Sequence, residues 1–270
     1  MTLTRTFGLL LGWLALLSPV LAQDGAGDDF IWENGLRQTH FGDRPIHDGA
    51  GVIELEAPYR AENAAIVPLR VKAGFPQTED RYIRTVTLLI DNNPTPLAGR
   101  FHFYPASGRA DLALRVRINA YTNVRAIAET NDGRLYMAKD YVKASGGCSA
   151  PVGTDIEAAM ARLGQMRFRV RDPSPGEPIQ AQLNISHPNI TGLQMDQLTR
   201  LYLPAHFVRR IEVTYDGEPV LTAETDISIS EDPSFRFYFV PQGEGELRAV
   251  VLDNQNGRFT DTVQLGAASS

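Results

Sequence analysis

From Val52 onward the chain alternates apolar and polar positions in short runs separated by turn residues. Ala65–Val71, Arg84–Ile90 and Arg100–Tyr104 come first, with Asp91-Asn92-Asn93-Pro94 stopping the second. Leu112–Ile118 keeps nearly strict alternation, and Val124–Glu129 and Arg134–Ala138 follow on either side of Asn131-Asp132-Gly133. A second set begins at Met166–Val170 and continues through Ile179–Ile185, Val208–Tyr215, Pro219–Ala223, Phe235–Val240, Glu246–Leu252 and Arg258–Val263. Period two over short segments predicts half-buried antiparallel strands, and Asp216-Gly217 and Asn256-Gly257 predict tight hairpins. The class is therefore all-β, in two sandwich blocks.

Between the blocks the pattern breaks. Residues 143–153, Lys-Ala-Ser-Gly-Gly-Cys-Ser-Ala-Pro-Val-Gly, are almost all small and supply no core, which predicts a flexible Gly/Ser arm. Thr154-Asp155-Ile156-Glu157 has the form of a capping box, and Ala158–Leu163 is good helix sequence ending at Gly164, so a short linker helix is expected there. Asp24 to Gly51 is rich in Gly, Asp and Pro. Phe30-Ile31-Trp32 is suited to start a short helix or dock on the body, and the segment is read as an arm of uncertain order.

The N-terminus carries one charge, Arg5, before Asp24, then an apolar run from Phe7 to Leu17, Pro19, and Val20-Leu21-Ala22. This is the form of a secretory signal cleaved after Ala22. The run is too short to cross about 30 Å of hydrocarbon, so no membrane insertion is expected after cleavage, and the destination is the periplasm. The division that follows is 1–22 signal, 23–51 arm, 52–148 first sandwich ending in the cysteine arm, 149–165 linker, and 166–266 second sandwich.

Loss of Arg5 takes the net charge from −6 to −7. A mildly acidic chain lacks the electrostatic footprint of a nucleic-acid binder. The chain has a single cysteine, Cys148, so no internal disulfide is available. In an exported protein an unpaired cysteine indicates intermolecular pairing or a reactive thiol, against the alternative of a buried, inert core residue. Gly146 and Gly147 before it, with Ser145 and Ser149 flanking, predict an exposed sulfur on a mobile segment, where Lys143 is placed to lower the thiol pKa. No general base stands beside it in sequence. That favours a carrier with no cofactor and no catalytic constellation of its own over an enzyme with a cysteine nucleophile.

At this point a family resemblance enters. The stretch from Ile53 to Cys148 resembles SoxY, the sulfur-carrying subunit of bacterial thiosulfate oxidation. It does so through Ile53–Pro58, Ala61-Glu62-Asn63, Val67-Pro68, Asn93-Pro94, Arg117-Ile118, Asn131-Asp132-Gly133 and Gly146-Gly147-Cys148. The stretch from Met166 to Leu265 resembles its partner SoxZ through Ile185–Pro188, Gly192, Pro204–Arg210 and Val213–Gly217. The resemblance implies two immunoglobulin-like antiparallel sandwiches, and Cys148 as the attachment point for sulfur-containing intermediates that periplasmic partner enzymes process. It is to a fused carrier of the type associated with quinoprotein alcohol dehydrogenases, which gives a second reading: a non-covalent accessory or assembly factor for such a dehydrogenase or its c-type cytochrome. In SoxY the arm ends the chain as Gly-Gly-Cys-Gly-Gly. Here Ser149-Ala150 follows the cysteine and the chain runs on to Ser270, so an arm held at both ends should reach less far.

Other chemistry-bearing residues read as structural. His187 and His206 lack a third ligand at a supporting spacing, so no metal site is expected and both are placed at strand ends or an interface. His102 falls within a strand, and His40 and His47 in the N-terminal arm. Arg209-Arg210 reads as an exposed strand pair.

Overall fold

The computed structural model describes residues 29–151, 156–171, 176–196 and 199–266; the signal-like segment 1–22 lies outside them. Fifteen strands form two sheets. The first block supplies β1 (Ile46–Asp48), β2 (Ile53–Glu56), β3 (Val67–Ala73), β4 (Ile83–Ile90), β5 (Leu97–Phe103), β6 (Leu112–Val116), β7 (Thr122–Thr130) and β8 (Leu135–Val142). The second supplies β9 (Met166–Val170), β10 (Ile179–Ile185), β11 (Val208–Tyr215), β12 (Glu218–Thr225), β13 (Ser234–Phe239), β14 (Gly245–Asp253) and β15 (Arg258–Leu265). Alternation decides their faces: in β6 Leu112, Leu114 and Val116 are buried while Ala113 and Arg115 are half-exposed, and β10 repeats the pattern over its whole length.

The two blocks are joined by far more than a linker. One sheet runs β1-β8-β7-β4-β5-β12-β11-β14-β15 and the other β2-β3-β6-β13-β10-β9, so each passes from the first block into the second. The seams are β5 against β12, with Phe103 opposite Leu221 and Gly99 opposite Thr225, and β6 against β13 at Ala113 and Arg236. All pairings are antiparallel except β1 with β8. Each seam removes two sheet edges that would otherwise invite foreign pairing. The core crosses the seam as well: Phe101 and Phe103 join Phe235, Phe237 and Phe239 in one buried cluster, with the Phe101 and Phe235 rings 6.2 Å apart. Burying each such ring contributes roughly 1.5–3 kcal/mol.

The described part of the N-terminal segment, from Asp29, is ordered against the body. A π-helical turn, Trp32–Leu36, runs into α1 (Arg37–Phe41). Trp32 and Phe41 cover Leu89, Ile127 and Leu135, forming a second small core on the outer face of the larger sheet. This explains why β4 is buried on both faces from Thr85 to Ile90. Below Trp32 lies the buried Arg125, its guanidinium 4.6 Å from the indole ring. It pairs with Asp91 at 2.7 Å and with Asp29 at 2.6 Å, which ties the segment down.

The linker helix is α2, Ile156–Ala161. Two of the expected capping-box residues, 154 and 155, lie outside the described residues. The Asp216-Gly217 hairpin has φ of 48° and 85°, the double positive φ that a type I′ turn requires.

Candidate functional site

The cysteine segment is not the free arm that its composition predicts. After β8, Lys143 N–H donates to the Tyr59 carbonyl at 2.7 Å. Gly146 N–H then donates to the Asn119 carbonyl and Gly147 N–H to the Ile118 carbonyl, each at 2.9 Å. The second block closes over the segment: the Thr191 hydroxyl donates to the Cys148 carbonyl at 2.7 Å, and the Gln194 amide donates to the Ala150 carbonyl at 2.9 Å. The glycines serve this docking in different ways. Gly146 sits at φ +79°, where side chains are rarely found. Gly147 passes so close to Ala64 that a Cβ there would lie 2.1 Å from its carbonyl oxygen.

Exposure of the thiol is therefore corrected: Cys148 is 0% exposed, while Ser145, Gly146 and Ser149 remain at the surface. Burial pushes the Cys148 thiol up to about 11, and nearby Arg117 opposes that rise. At neutral pH only about one molecule in 10⁴ would carry a thiolate in this arrangement, so docking suppresses reactivity. Lys143 is not the charge beside the sulfur; its ammonium stands 4.6 Å from the Tyr59 ring.

Arg117, just beyond β6, is 1% exposed. It donates from Nη2 to the Asn189 carbonyl at 3.1 Å, and its Nε–H has no acceptor among the described residues. Arg117 and Cys148 are thus held by the same loop of the second block, one on Asn189 and the other on Thr191. Asn189 is the hub: at φ 43° it also donates to the Ile229 carbonyl and accepts from Val208 N–H. A buried guanidinium with an unused donor favours any negative charge placed at its side.

His187 and His206 do acquire a third partner, which spacing could not show. Asp253, from the end of β14, brings its carboxylate among them, and all three are buried within 4.8 Å of one another. His206 Nε2 is 2.8 Å from Asp253 Oδ2 and His187 Nε2 is 3.6 Å from it. The residue types suit a metal, but the proton count does not. His187 Nδ1 accepts a hydrogen bond from Asn189 N–H at 3.0 Å, so in the neutral ring Nε2 carries the proton; at 3.6 Å from Asp253 Oδ2 it makes no hydrogen bond among the described residues. Burial and the neighbouring His206 hold His187 down to about 4, which keeps it neutral. Burial raises Asp253, but the His206 N–H and the backbone N–H groups of Gly257 and Gln255 outweigh it and hold the carboxyl below its usual range. We read the cluster as a polar clamp on the loop that carries Asn189 and Thr191.

Of the remaining residues, His102 meets the Thr85 hydroxyl at 3.1 Å inside the larger sheet, and Arg210 pairs with Glu212 at 2.7 Å. No helix among the described residues is long and apolar enough to cross a membrane.

The chain is thus a two-part all-β protein whose cysteine segment is clasped between two blocks that share both sheets. Residues 37–148 match the family of the sulfur oxidation protein SoxY and residues 166–264 that of the sulphur oxidation protein SoxZ, the first match ending on Cys148 itself. The chain belongs to these two families joined in one polypeptide, a fused SoxYZ-like sulfur carrier. No curated protein matches it. Among solved structures, the sulfur carrier protein SoxY from Chlorobium limicola f thiosulfatophilum is 27% identical over 40% of this chain and 87% of its own, with a TM-score of 0.34. A superoxide reductase (neelaredoxin) from Ignicoccus hospitalis is 23% identical over 34% and 79%, with a TM-score of 0.31. The fibronectin(III)-like modules of Clostridium thermocellum CbhA are 11% identical over 83% and 92%, with a TM-score of 0.23.

Proposed function

We propose that the protein is a periplasmic covalent carrier that holds sulfur-containing intermediates on the Cys148 sulfur while partner enzymes act on them. The observation that carries this reading is the position of Cys148. It closes the SoxY-like block, lies on the seam with the SoxZ-like block, and shares one loop with the buried, under-bonded Arg117. A thiosulfonate adduct places an anion beyond the sulfur, and the unused Nε–H of Arg117 is a donor for such a charge. Joining a thiolate to thiosulfate is a two-electron oxidation, so a partner enzyme must take the electrons. The chain itself supplies attachment, shielding and release. Delivery requires the clasp to open, since the docked thiol is neutral and out of reach.

The burial of Cys148 favours one competing reading, a non-covalent accessory of a quinoprotein dehydrogenase or its cytochrome in which the cysteine is only packing. Replacement by serine in the native host separates the two. Cys148→Ser abolishes oxidation of the sulfur compound if the cysteine is the carrier. If the serine variant supports sulfur oxidation or alcohol-dependent growth as fully as the parent, the accessory reading stands instead.

A further inference from the structure

The outer face of the smaller sheet carries a band of positive charge that the carrier reading does not use. Alternation turns Arg70 and Lys72 of β3, Arg115 of β6, Arg236 of β13 and Arg167 and Arg169 of β9 to this side. The outward positions of β3, β6, β13, β10 and β9 include no carboxylate, in a chain whose net charge is −6. Acidic residues enter only at the edge, where Glu54 and Glu56 of β2 stand opposite Lys72 and Arg70. Arg115, Arg236, Arg167 and Arg169 have no ion-pair partner among the described residues. Arg115 donates Nη2 to the Asp232 carbonyl and leaves a buried Nε–H without an acceptor among the described residues.

The face is also concave and polar. A groove of about 680 Å³ lies across the seam between the blocks, lined by Arg70, Arg115 and Arg236 together with Gln182, Asn184 and Ser234, and by Glu56 beside Arg70 at its β2 edge. A second hollow of about 270 Å³ continues toward Arg169 and Arg171. One cross-strand row, Arg70–Ala113–Arg236–Gln182–Arg169, follows from the registers. At roughly 4.8 Å per strand its four steps extend about 19 Å. That is too long for one small anion. It matches about six residues of extended polypeptide at ~3.3 Å each. Guanidinium groups suit carboxylates, and the amides between them suit a peptide backbone.

We propose that this face is a docking surface for an acidic stretch of a partner protein, held across both blocks and independent of Cys148. Fluorescein-labelled deca-glutamate, titrated by anisotropy against the full chain, tests it. Binding should weaken with added salt and fall about tenfold in Arg115→Gln/Arg236→Gln. Arg167→Gln/Arg169→Gln, on the exposed edge strand, should show a loss in the same direction and covers the case in which the first pair unfolds. Arg209→Gln/Arg258→Gln, which removes equal charge from the other sheet, and Cys148→Ser should change affinity by less than about twofold. No binding, equal losses in the charge-matched control, or binding of heparin with none of deca-glutamate would each overturn the proposal. Failure here would leave the cysteine carrier intact, and loss of that carrier role would leave this face unchanged.

Discussion

The Thr191 hydroxyl donates a 2.7 Å hydrogen bond to the Cys148 carbonyl oxygen, so the SoxZ-like block itself holds down the cysteine of the SoxY-like block. Fusion keeps the two parts of this clasp in one polypeptide. A neutral hydrogen bond of this kind contributes about 1 kcal/mol. Thr191→Val should therefore raise the rate of Cys148 alkylation by iodoacetamide about fivefold, with Tm lowered by only about 2–4 °C. An unaltered rate would show that the segment opens elsewhere.

Gly147 permits the docking and Gly146 permits the turn into it. A Cβ at residue 147 would lie 2.1 Å from the Ala64 carbonyl oxygen, and backbone there cannot yield cheaply. Gly147→Ala should cost about 1–3 kcal/mol and expose the thiol to rapid labelling. Gly146→Ala has open space around it but φ +79°, and should cost only about 1 kcal/mol. Equal effects at the two positions, read by denaturant melts and labelling, would count against the docked geometry.

Alkaline pH should open the segment. The folded thiol ionises at about 11, above its ordinary value near 9. A raised pKa means that the docked state binds its proton more tightly. Its contribution is complete below the ordinary value and is lost as pH climbs toward 11. Alkylation of the native protein should rise steeply between these values, whereas in urea the profile should centre near the ordinary thiol pKa. A native profile centred near 9 would mean that the docked form is a minor one.

Acid should act on the opposite side, through His187. Its folded pKa of about 4 lies below the ordinary 6.5, so the neutral ring stabilises the fold above 6.5 and that contribution disappears as pH falls toward 4. The difference corresponds to about 3 kcal/mol at most. Denaturant melts should show stability declining over that window in the parent and a shallower decline in His187→Gln. Parallel slopes would assign the acid sensitivity to other groups. Since the Nε2 of neutral His187 carries its proton, added zinc should not raise the Tm at neutral pH.

Most strands were legible in the sequence because each needs only its own alternation: Met166–Val170, Ile179–Ile185 and Val208–Tyr215 are the same in the fold. What local pattern could not carry was any relation between distant residues. The sequence leaves the order of the N-terminal segment open, although Phe30-Ile31-Trp32 marks where it docks, because its anchors, Arg125 for Asp29 and Leu89 for Trp32, lie in strands far along the chain. Asp253 completes the histidine cluster from 47 residues beyond His206. The Gly-Gly-Cys run was misread for a different reason. Glycine serves equally for freedom and for close approach, and only the neighbours Ala64 and Thr191 show that close approach prevails here. Arg117 stood in view as part of a matching motif. Nothing local marked it as buried beside the thiol.

The most direct test of the carrier reading is the intact mass of the protein purified without reductant from cells oxidising thiosulfate, followed by peptide mapping. The account predicts a sulfur-containing mass increment on the peptide that contains Cys148, removed by reductant and missing from Cys148→Ser. A bare Cys148 thiol under sulfur-oxidising conditions would contradict it.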